Sequence, residues 1–223
     1  MVFICNLDPV IWKLNQMSNL ISDILSPKSV RLKIGLYFGS YNPIHIGHLA
    51  IANYIVEYTG INQLWFVVSP QNPFKKKENL LADYHRLEMV TRAIDNDDRF
   101  RASNIEFNLP KPSYTIDTLT YLQERYPDYS FVILMGSDNL ENFHKWKNHE
   151  VILENYGVIV YPRPGFEKSQ VPVHKNITVA EGAPLMEISS TFIRDAIKSG
   201  KNIRHFLPQK AWEYLDEMNF YRK

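Results

Sequence analysis

Two histidines that share one turn are the residues of this sequence best suited to chemistry. His45 and His48 stand in the segment GSYNPIHIGH, residues 39–48, with Gly47 between them. If a helix begins here, both imidazoles project from its first turn, beside backbone N–H groups that lack intrahelical partners and attract anions. The whole segment therefore predicts a triphosphate pocket. A helix cap or a metal site is the alternative interpretation of the histidine pair taken alone.

A second polar segment, ISSTFIR at 188–194, has the composition of a helix start. Its three hydroxyl side chains can cap the helix while their hydroxyl and N–H groups face a phosphate. Arg194 comes four residues after Ser190, a spacing that turns the guanidinium back toward the same helix end. A fixed positive charge at this place could stabilise a leaving pyrophosphate. Taken alone, the Ser-Ser-Thr run is an ordinary cap.

Together the two segments resemble the signatures of the HxGH nucleotidylyltransferase family. That family has Gly, Ser or Thr, an aromatic residue, Asp or Asn, Pro and then His-x-Gly-His, followed far downstream by Ile-Ser-Ser-Thr-x-x-Arg. The resemblance covers residues 33–218 and departs at Phe38, where many relatives have a glycine. It implies catalytic roles for His45, His48 and Arg194. The ATP-binding residues that it implies are Gly39, Ser40, Tyr41, His45, Gly47, His48, Gly136, Asp138, Ser189, Ser190, Thr191 and Arg194.

A third segment, MGSDNLENFHKW at 135–146, follows an apolar run and includes an aspartate able to accept hydrogen bonds from ribose hydroxyls. It resembles the branch of the family that adenylylates pyridine mononucleotides, in which Gly-x-Asp is followed by a Lys-Trp pair. Gly136, Asp138, Lys145 and Trp146 match that pattern. The resemblance implies that the indole stacks on the pyridine ring, and core packing is the alternative interpretation of this tryptophan.

A fourth segment, PSYTIDTL at 112–119, resembles the Ser-Tyr-Thr-x-Asp-Thr sequence of the same branch, whose backbone amides hold the carboxylate of nicotinate. A plain helix N-terminus is its alternative interpretation. Lys75 lies in a basic run that could close over phosphates, although such runs are usually solvated. The substrate-binding residues that the resemblance implies are Asn42, Lys75, Ser113, Tyr114, Thr115, Lys145 and Trp146.

This branch, the nicotinate-nucleotide adenylyltransferases, implies transfer of AMP from ATP to nicotinate mononucleotide, with release of pyrophosphate, in NAD biosynthesis. It also implies that Mg²⁺ arrives with ATP and that the protein itself has no metal site. Nicotinamide mononucleotide and phosphopantetheine are the alternative acceptors, and a non-catalytic nucleotide sensor of the same fold is the alternative from another class. Trp146 and the SYTID sequence argue against phosphopantetheine. The complete set of phosphate-binding residues argues against the sensor.

The elements that position these segments follow a βα alternation. Short apolar runs bounded by turn residues alternate with segments of helical spacing, which predicts a Rossmann-like, doubly wound parallel sheet with helices on both faces. The last two helices have no strand between them and form a C-terminal helical portion. We predict strands over 33–38, 64–69, 103–109, 130–136 and 156–161, and helices over 48–58, 80–94, 114–126, 188–200 and 208–218.

The chain divides at a change of pattern near residue 30. Residues 1–30 have irregular apolar spacing and end in the breaker-rich SPKS, so we interpret them as an N-terminal extension of unknown role. Residues 31–223 form the predicted nucleotidylyltransferase domain. In such a domain, ligands gather at the carboxyl ends of the strands, where the segments described above fall.

Composition excludes several other classes of protein. Of 223 residues, 45% are hydrophobic, and a formal net charge of +1 gives no global field to attract nucleic acid or an anionic membrane. Cys5 is the only cysteine, so an intramolecular disulfide and a cysteine-based metal cage are excluded. No signal peptide or membrane-spanning run is recognisable, and we expect a cytoplasmic protein. The sequence allows a homo-oligomer.

Overall fold

A computed structural model of the protein describes residues 31–70, 80–165 and 171–222. Within these residues six strands form one sheet in the order β3-β2-β1-β4-β5-β6, and every neighbouring pair is parallel. The predicted parallel α/β fold is confirmed. The predicted extension, residues 1–30, lies outside the described residues. The strands are β1 (Leu32–Gly39), β2 (Gln63–Val68), β3 (Phe100–Ser103), β4 (Tyr129–Gly136), β5 (Val158–Tyr161) and β6 (Ile177–Val179).

Seven α-helices connect or follow these strands in the described part of the chain. None of the helices there combines the length and the apolar composition needed to cross a bilayer. The helices are α1 (Ile46–Tyr58), α2 (Asp83–Ile94), α3 (Thr115–Arg125), α4 (Ser137–Leu140), α5 (His149–Asn155), α6 (Ser190–Lys198) and α7 (Gln209–Glu217), with 3₁₀ turns at Ile105–Asn108, Phe143–Lys145 and Arg204–Phe206.

Both faces of the sheet are covered. Residues 34–37 of β1 and 131–136 of β4 are buried without interruption, as expected for central parallel strands packed on two sides. Because successive side chains point to opposite faces, β1, β2, β4 and β5 each contribute to two cores. One core lies against α1, α2, α6 and α7, and the other lies against α3 and α5. The predicted placement of helices on both faces is confirmed.

The strand order changes direction beside β1. From β1 the chain adds β2 and β3 on one side, and then returns to place β4, β5 and β6 on the other. The carboxyl ends of β1 and β2 are level, since Gly39 pairs with Val68 and Ser69 N donates to Gly39 O at 2.9 Å. Parallel folds of this kind bind their ligands at such a switch in strand order, outside the carboxyl ends.

Two sequence predictions about strands differ from the structure. The strand predicted over 103–109 is wrong: β3 is Phe100–Ser103 and a 3₁₀ turn occupies Ile105–Asn108. Its neighbour β2 ends at Val68, one residue beyond the partner of Ser103, so a strand that continued past residue 104 would have no partner there. The short strand β6 was not predicted, because three residues at the sheet edge are too few to establish an alternation.

The core on the α3 side gives a prediction for stability. Leu119 is fully buried there, whereas Leu185 is 58% exposed. We expect Leu119→Ala to lower the free energy of unfolding by roughly 2–5 kcal/mol, because it leaves a cavity in a packed core. Leu185→Ala is the matched control and should change it by less than about 0.5 kcal/mol. Urea unfolding measures both, and equal effects would contradict the assigned packing.

Candidate active site

The loop between β1 and α1 places the histidine pair at the carboxyl end of the central strand. His45 is the N-cap residue of α1, and the rings of His45 and His48 stack with centroids 3.8 Å apart at 29°. The backbone N–H of His45 donates to Nδ1 of His48 at 3.3 Å. In the neutral form, His48 therefore carries its proton on Nε2. The two imidazoles lie side by side at the start of the helix.

The environment of His45 favours a neutral imidazole. Its side chain is buried, and no group among the described residues hydrogen-bonds its Nδ1 atom. Burial, and then the nearby positive charge of Arg163, lower its pKa from 6.5 to about 4. A buried polar atom that lacks a partner is costly unless a ligand satisfies it. At neutral pH, His45 can therefore exchange a hydrogen bond with an oxyanion without carrying charge.

Glycines at two positions allow this loop to pack so closely. A side chain at Gly39 would bring its Cβ within 2.8 Å of the Tyr41 ring, and one at Gly47 would come within 3.0 Å of Nδ1 of His45. Tyr41 is fully buried and has φ 45°, a left-handed conformation that is uncommon for an aromatic residue. Its hydroxyl donates to the carbonyl of Tyr37. The loop thus adopts a conformation that the surrounding contacts must maintain.

Arg86 holds the loop from the side of α2. This guanidinium is fully buried and donates to the carbonyls of Ser40 and Ser69, which follow β1 and β2. It also donates to Leu81 O at 2.9 Å and pairs with Asp83 at 2.6 Å. A buried charge with this many partners ties the ends of two strands to one helix. Sequence reasoning did not identify Arg86, because arginine in a helix usually lies on the solvent side.

Helix α6 also holds the loop. Ser190 Oγ donates to Pro43 O at 2.8 Å, and Arg194 donates to Asn42 O at 2.8 Å. These bonds join positions 147 and 152 residues apart. Ser189 caps α6 by accepting from the backbone N–H of Phe192 at 3.1 Å, and Thr191 Oγ1 accepts from Arg194 at 3.2 Å. The structure thus brings the two predicted phosphate-binding segments together.

The ends of β4 and β5 add an aspartate and an arginine. Gly136 ends β4, and exposed Asp138 lies in α4 with its Oδ1 3.8 Å from Nε of Arg163. The backbone N–H of Arg163 donates to Ser137 Oγ at 3.1 Å, which joins the two strand ends. Arg163 was missed by sequence reasoning. Its only signal was its place just after an apolar strand, at the edge where ligands gather.

A row of buried tyrosines connects Arg163 to the histidine loop. Arg163 donates to the hydroxyl of Tyr161 at 3.0 Å, and the hydroxyl of Tyr37 donates to that of Tyr161 at 3.1 Å. The Tyr37 ring lies 6.0 Å from that of His48. Burial raises the pKa of both phenols, so they remain neutral donors over the working pH range. The two tyrosines thus connect Arg163, through their hydroxyls, to the ring of His48.

The predicted nicotinate segment lies at the start of α3. Thr115 is the first residue of that helix, exposed Tyr114 precedes it, and Ser113 is half-buried. Buried Glu106 hydrogen-bonds with the side chains of Ser113, Thr118 and Ser69, and burial raises its pKa. Because Ser69 also bonds to the end of β1, Glu106 connects this segment to the histidine loop. Sequence reasoning did not identify Glu106.

The predicted Lys-Trp pair lies beside the same helix start. Lys147 pairs with Asp117 of α3 at 3.1 Å and lies 4.7 Å from the centre of the Tyr114 ring. Lys145 donates to Asn142 Oδ1 at 2.8 Å. Trp146 is half-buried, with its ring 5.4 Å from Phe143 and its packing against the α3-side core. The indole therefore has a packed part and an accessible part. This arrangement allows both core packing and the predicted stacking on a pyridine ring.

Lys75 lies outside the described residues, so its role stays a prediction. In the ranges that the structure describes, no group of three His, Cys, Asp or Glu side chains is arranged to hold a metal ion.

Comparison with known proteins identifies relatives of this chain. The cytidylyltransferase-like family model matches residues 36–196. A probable nicotinate-nucleotide adenylyltransferase of Flavobacterium johnsoniae is 54% identical over 86% of this chain and 100% of its own length. The protein of the same description from Christiangramia forsetii is 53% identical over 85% of this chain and 98% of its own length.

Solved structures show the same fold. The nicotinic acid mononucleotide adenylyltransferase of Plasmodium falciparum, in complexes with NaAD and with APC, superimposes with a TM-score of 0.68 in each case. These matches cover 85% of this chain and 97% of the other, at 22% and 21% identity. At that identity the likeness supports the architecture alone.

The burial of His45 predicts how stability depends on pH. Its pKa is 6.5 in an unfolded chain and about 4 in the folded protein, so between these values the unfolded chain binds more protons. The free energy of unfolding should therefore decrease as the pH drops from 6.5 to 4. His45 should account for up to about 3 kcal/mol of this decrease. Urea unfolding of the wild type and His45→Gln across this range measures it. An identical pH dependence in the two proteins would contradict the assignment.

Proposed function

This chain belongs to the cytidylyltransferase-like family, and we propose that it transfers the AMP part of ATP to nicotinate mononucleotide, forming nicotinate adenine dinucleotide and pyrophosphate. The observation that carries the proposal is the pair of hydrogen bonds, Ser190 to Pro43 and Arg194 to Asn42, which joins two separate phosphate-binding segments into one site. Relatives more than 50% identical over almost their whole length carry the name of this activity.

The start of α1 is the proposed triphosphate site. Its first backbone N–H groups have no intrahelical acceptors and attract anions, and neutral His45 adds a hydrogen-bonding group without adding charge. His48 offers its Nε2 proton to the α-phosphate. Arg194 and Arg163 supply the positive charge. In this arrangement ATP arrives with Mg²⁺ bound to its phosphates, and the cation is part of the substrate.

The reaction needs no nucleophile from the protein. An oxygen of the mononucleotide 5′-phosphate, already an anion near neutral pH, forms a bond to the α-phosphorus of ATP. The bond from that phosphorus to the bridging oxygen breaks, and pyrophosphate leaves with the electron pair. The work of the protein is alignment of the two phosphates and stabilisation of the charge that moves to the leaving group. We assign the first task to the loop 39–48 and the second to Arg194, while His48 stabilises the α-phosphate in the transition state.

The start of α3 is the proposed site for the pyridine ring. Backbone N–H groups in the first turn of α3 donate hydrogen bonds, and a carboxylate accepts at both of its oxygens. A carboxamide has one accepting oxygen and one donating nitrogen, so donor groups here favour nicotinate over nicotinamide. The accessible face of Trp146 provides a planar surface for the ring. Asn42 and Lys145 are proposed to contact the rest of the mononucleotide.

The wider setting of the protein follows from this reaction. ATP and a pyridine mononucleotide are the proposed partners, and nucleic acid has no part in the reaction. A single cysteine, Cys5, suits a reducing compartment, so we place the reaction in the cytoplasm.

The experiment that tests the function compares acceptors. Pyrophosphate release from ATP and Mg²⁺ is followed with nicotinate mononucleotide, nicotinamide mononucleotide and phosphopantetheine, and kcat/KM is determined for each. We expect nicotinate mononucleotide to give the highest value, because its carboxylate matches the donors at the start of α3. A preference for either of the others would contradict the assigned pocket. No turnover with any acceptor would support a nucleotide sensor instead.

His48 should contribute mainly to the transition state. Charge on the α-phosphate changes most during the reaction, so loss of a donor aimed at it should raise the barrier by roughly 2.7–4 kcal/mol and lower kcat by roughly 10²–10³. Steady-state kinetics of His48→Ala measures the effect. His205→Ala is the control, since His205 is an exposed histidine near α7. A wild-type kcat in His48→Ala would contradict the assigned role of His48 in the transition state.

A further inference from the structure

The segment that follows α7 returns to the histidine loop. Asn219 and Tyr221 have φ values of 53° and 63°, and these left-handed residues turn the chain back from the end of the helix. Phe220 packs on α2, with its ring 4.7 Å from that of His85, and its backbone N–H donates to Leu215 O at 3.1 Å. The segment is thus fixed by packing and by a backbone hydrogen bond.

Tyr221 contacts the side chain of Asn42. Its hydroxyl donates to Asn42 Oδ1 at 2.7 Å, across 179 residues of sequence. Burial raises the pKa of this phenol, so it remains protonated and able to donate. Arg86 and Arg194 lie close enough for their charges to act on it. These are the same two arginines that hold the carbonyls of Ser40 and Asn42.

The carboxamide of Asn42 is fixed in one orientation. Asn42 is buried, and its Oδ1 accepts both from Tyr221 and from the backbone N–H of Leu81 at 3.3 Å. An asparagine amide has two orientations that differ by exchange of its oxygen and nitrogen, and two donors aimed at one atom select between them. The hydroxyl of Tyr221 is the nearer of the two donors.

We propose that Tyr221 is a positioning residue for the acceptor substrate, which acts by orienting the side chain of Asn42. This inference rests on the proposed function, in which Asn42 contacts the mononucleotide. The main chain of the loop has separate supports in Arg86, Ser190 and Arg194, so Tyr221 acts on the side chain and leaves the triphosphate site in place. Tyr221 also lies beyond residues 36–196, which the family model matches.

The test compares two tyrosines of the same region. Tyr221→Phe removes one hydroxyl and keeps the ring. Tyr214→Phe is the matched control, because Tyr214 makes a 2.8 Å hydrogen bond with His85 of α2 and has no bond to the loop. We expect Tyr221→Phe to lower kcat/KM for the mononucleotide about five- to tenfold, the range of one hydrogen bond, with ATP affinity within about twofold of wild type. Tyr214→Phe should leave both constants near wild type.

A double-mutant cycle separates positioning from a general loss of stability. In an Asn42→Ala background, the change Tyr221→Phe should have no further effect on kcat/KM for the mononucleotide, since the group on which it acts is gone. Additive effects would overturn the proposal. Equal losses in Tyr221→Phe and Tyr214→Phe, or an equal loss of ATP affinity, would also overturn it.

A measurement without turnover keeps this inference separate from the proposed function. A wild-type protein that is inactive with the mononucleotide would contradict the function, and the orientation of Asn42 would then be read from its side-chain amide resonances. We assign these resonances by their loss in Asn42→Ala. Tyr221→Phe should shift them and Tyr214→Phe should not. Unchanged resonances in Tyr221→Phe would overturn the proposal.

Discussion

The structure depends on how the backbone of residues 40–43 is held. This loop contains a left-handed tyrosine and has no helix or strand ladder to satisfy its carbonyls, so the partners must come from elsewhere. Arg86 takes the carbonyl of Ser40, while Arg194 and Ser190 take those of Asn42 and Pro43. Side chains of α2 and α6 therefore hold the same loop. They thereby fix the position of the histidine pair that follows the loop.

The charges around this loop are divided between structure and chemistry. The guanidinium of Arg86 is hydrogen-bonded to backbone carbonyls and paired with Asp83, so its charge stabilises the fold. Arg163 pairs with exposed Asp138 at 3.8 Å and donates to the Tyr161 hydroxyl, and its charge also lowers the pKa of His45. Burial, together with this nearby charge, keeps the His45 imidazole neutral. A positively charged guanidinium thus lies near the uncharged imidazole of His45.

The features that could be predicted from the sequence are those that depend on residues close together in the chain. The alternation of strands and helices predicted the sheet, and the two signature segments predicted that His45 and Arg194 belong to one site. What it could not reveal depends on three-dimensional context. Arg86 occupies a helical position that is usually exposed, and Arg163 stands in a proline-rich turn with no motif. The boundary of β3 was set by where β2 ends, which is a property of its neighbour.

The bond between Tyr221 and Asn42 also bears on how the protein folds. It closes a separation of 179 residues, and the loop-closure entropy of so distant a contact must be overcome before the contact stabilises anything. The central pairing of β1 with β4 also joins distant parts of the sequence, since Leu32 pairs with Tyr129. The side chain of Asn42 therefore reaches its final orientation only in a chain whose first strand region and last helix region have come together.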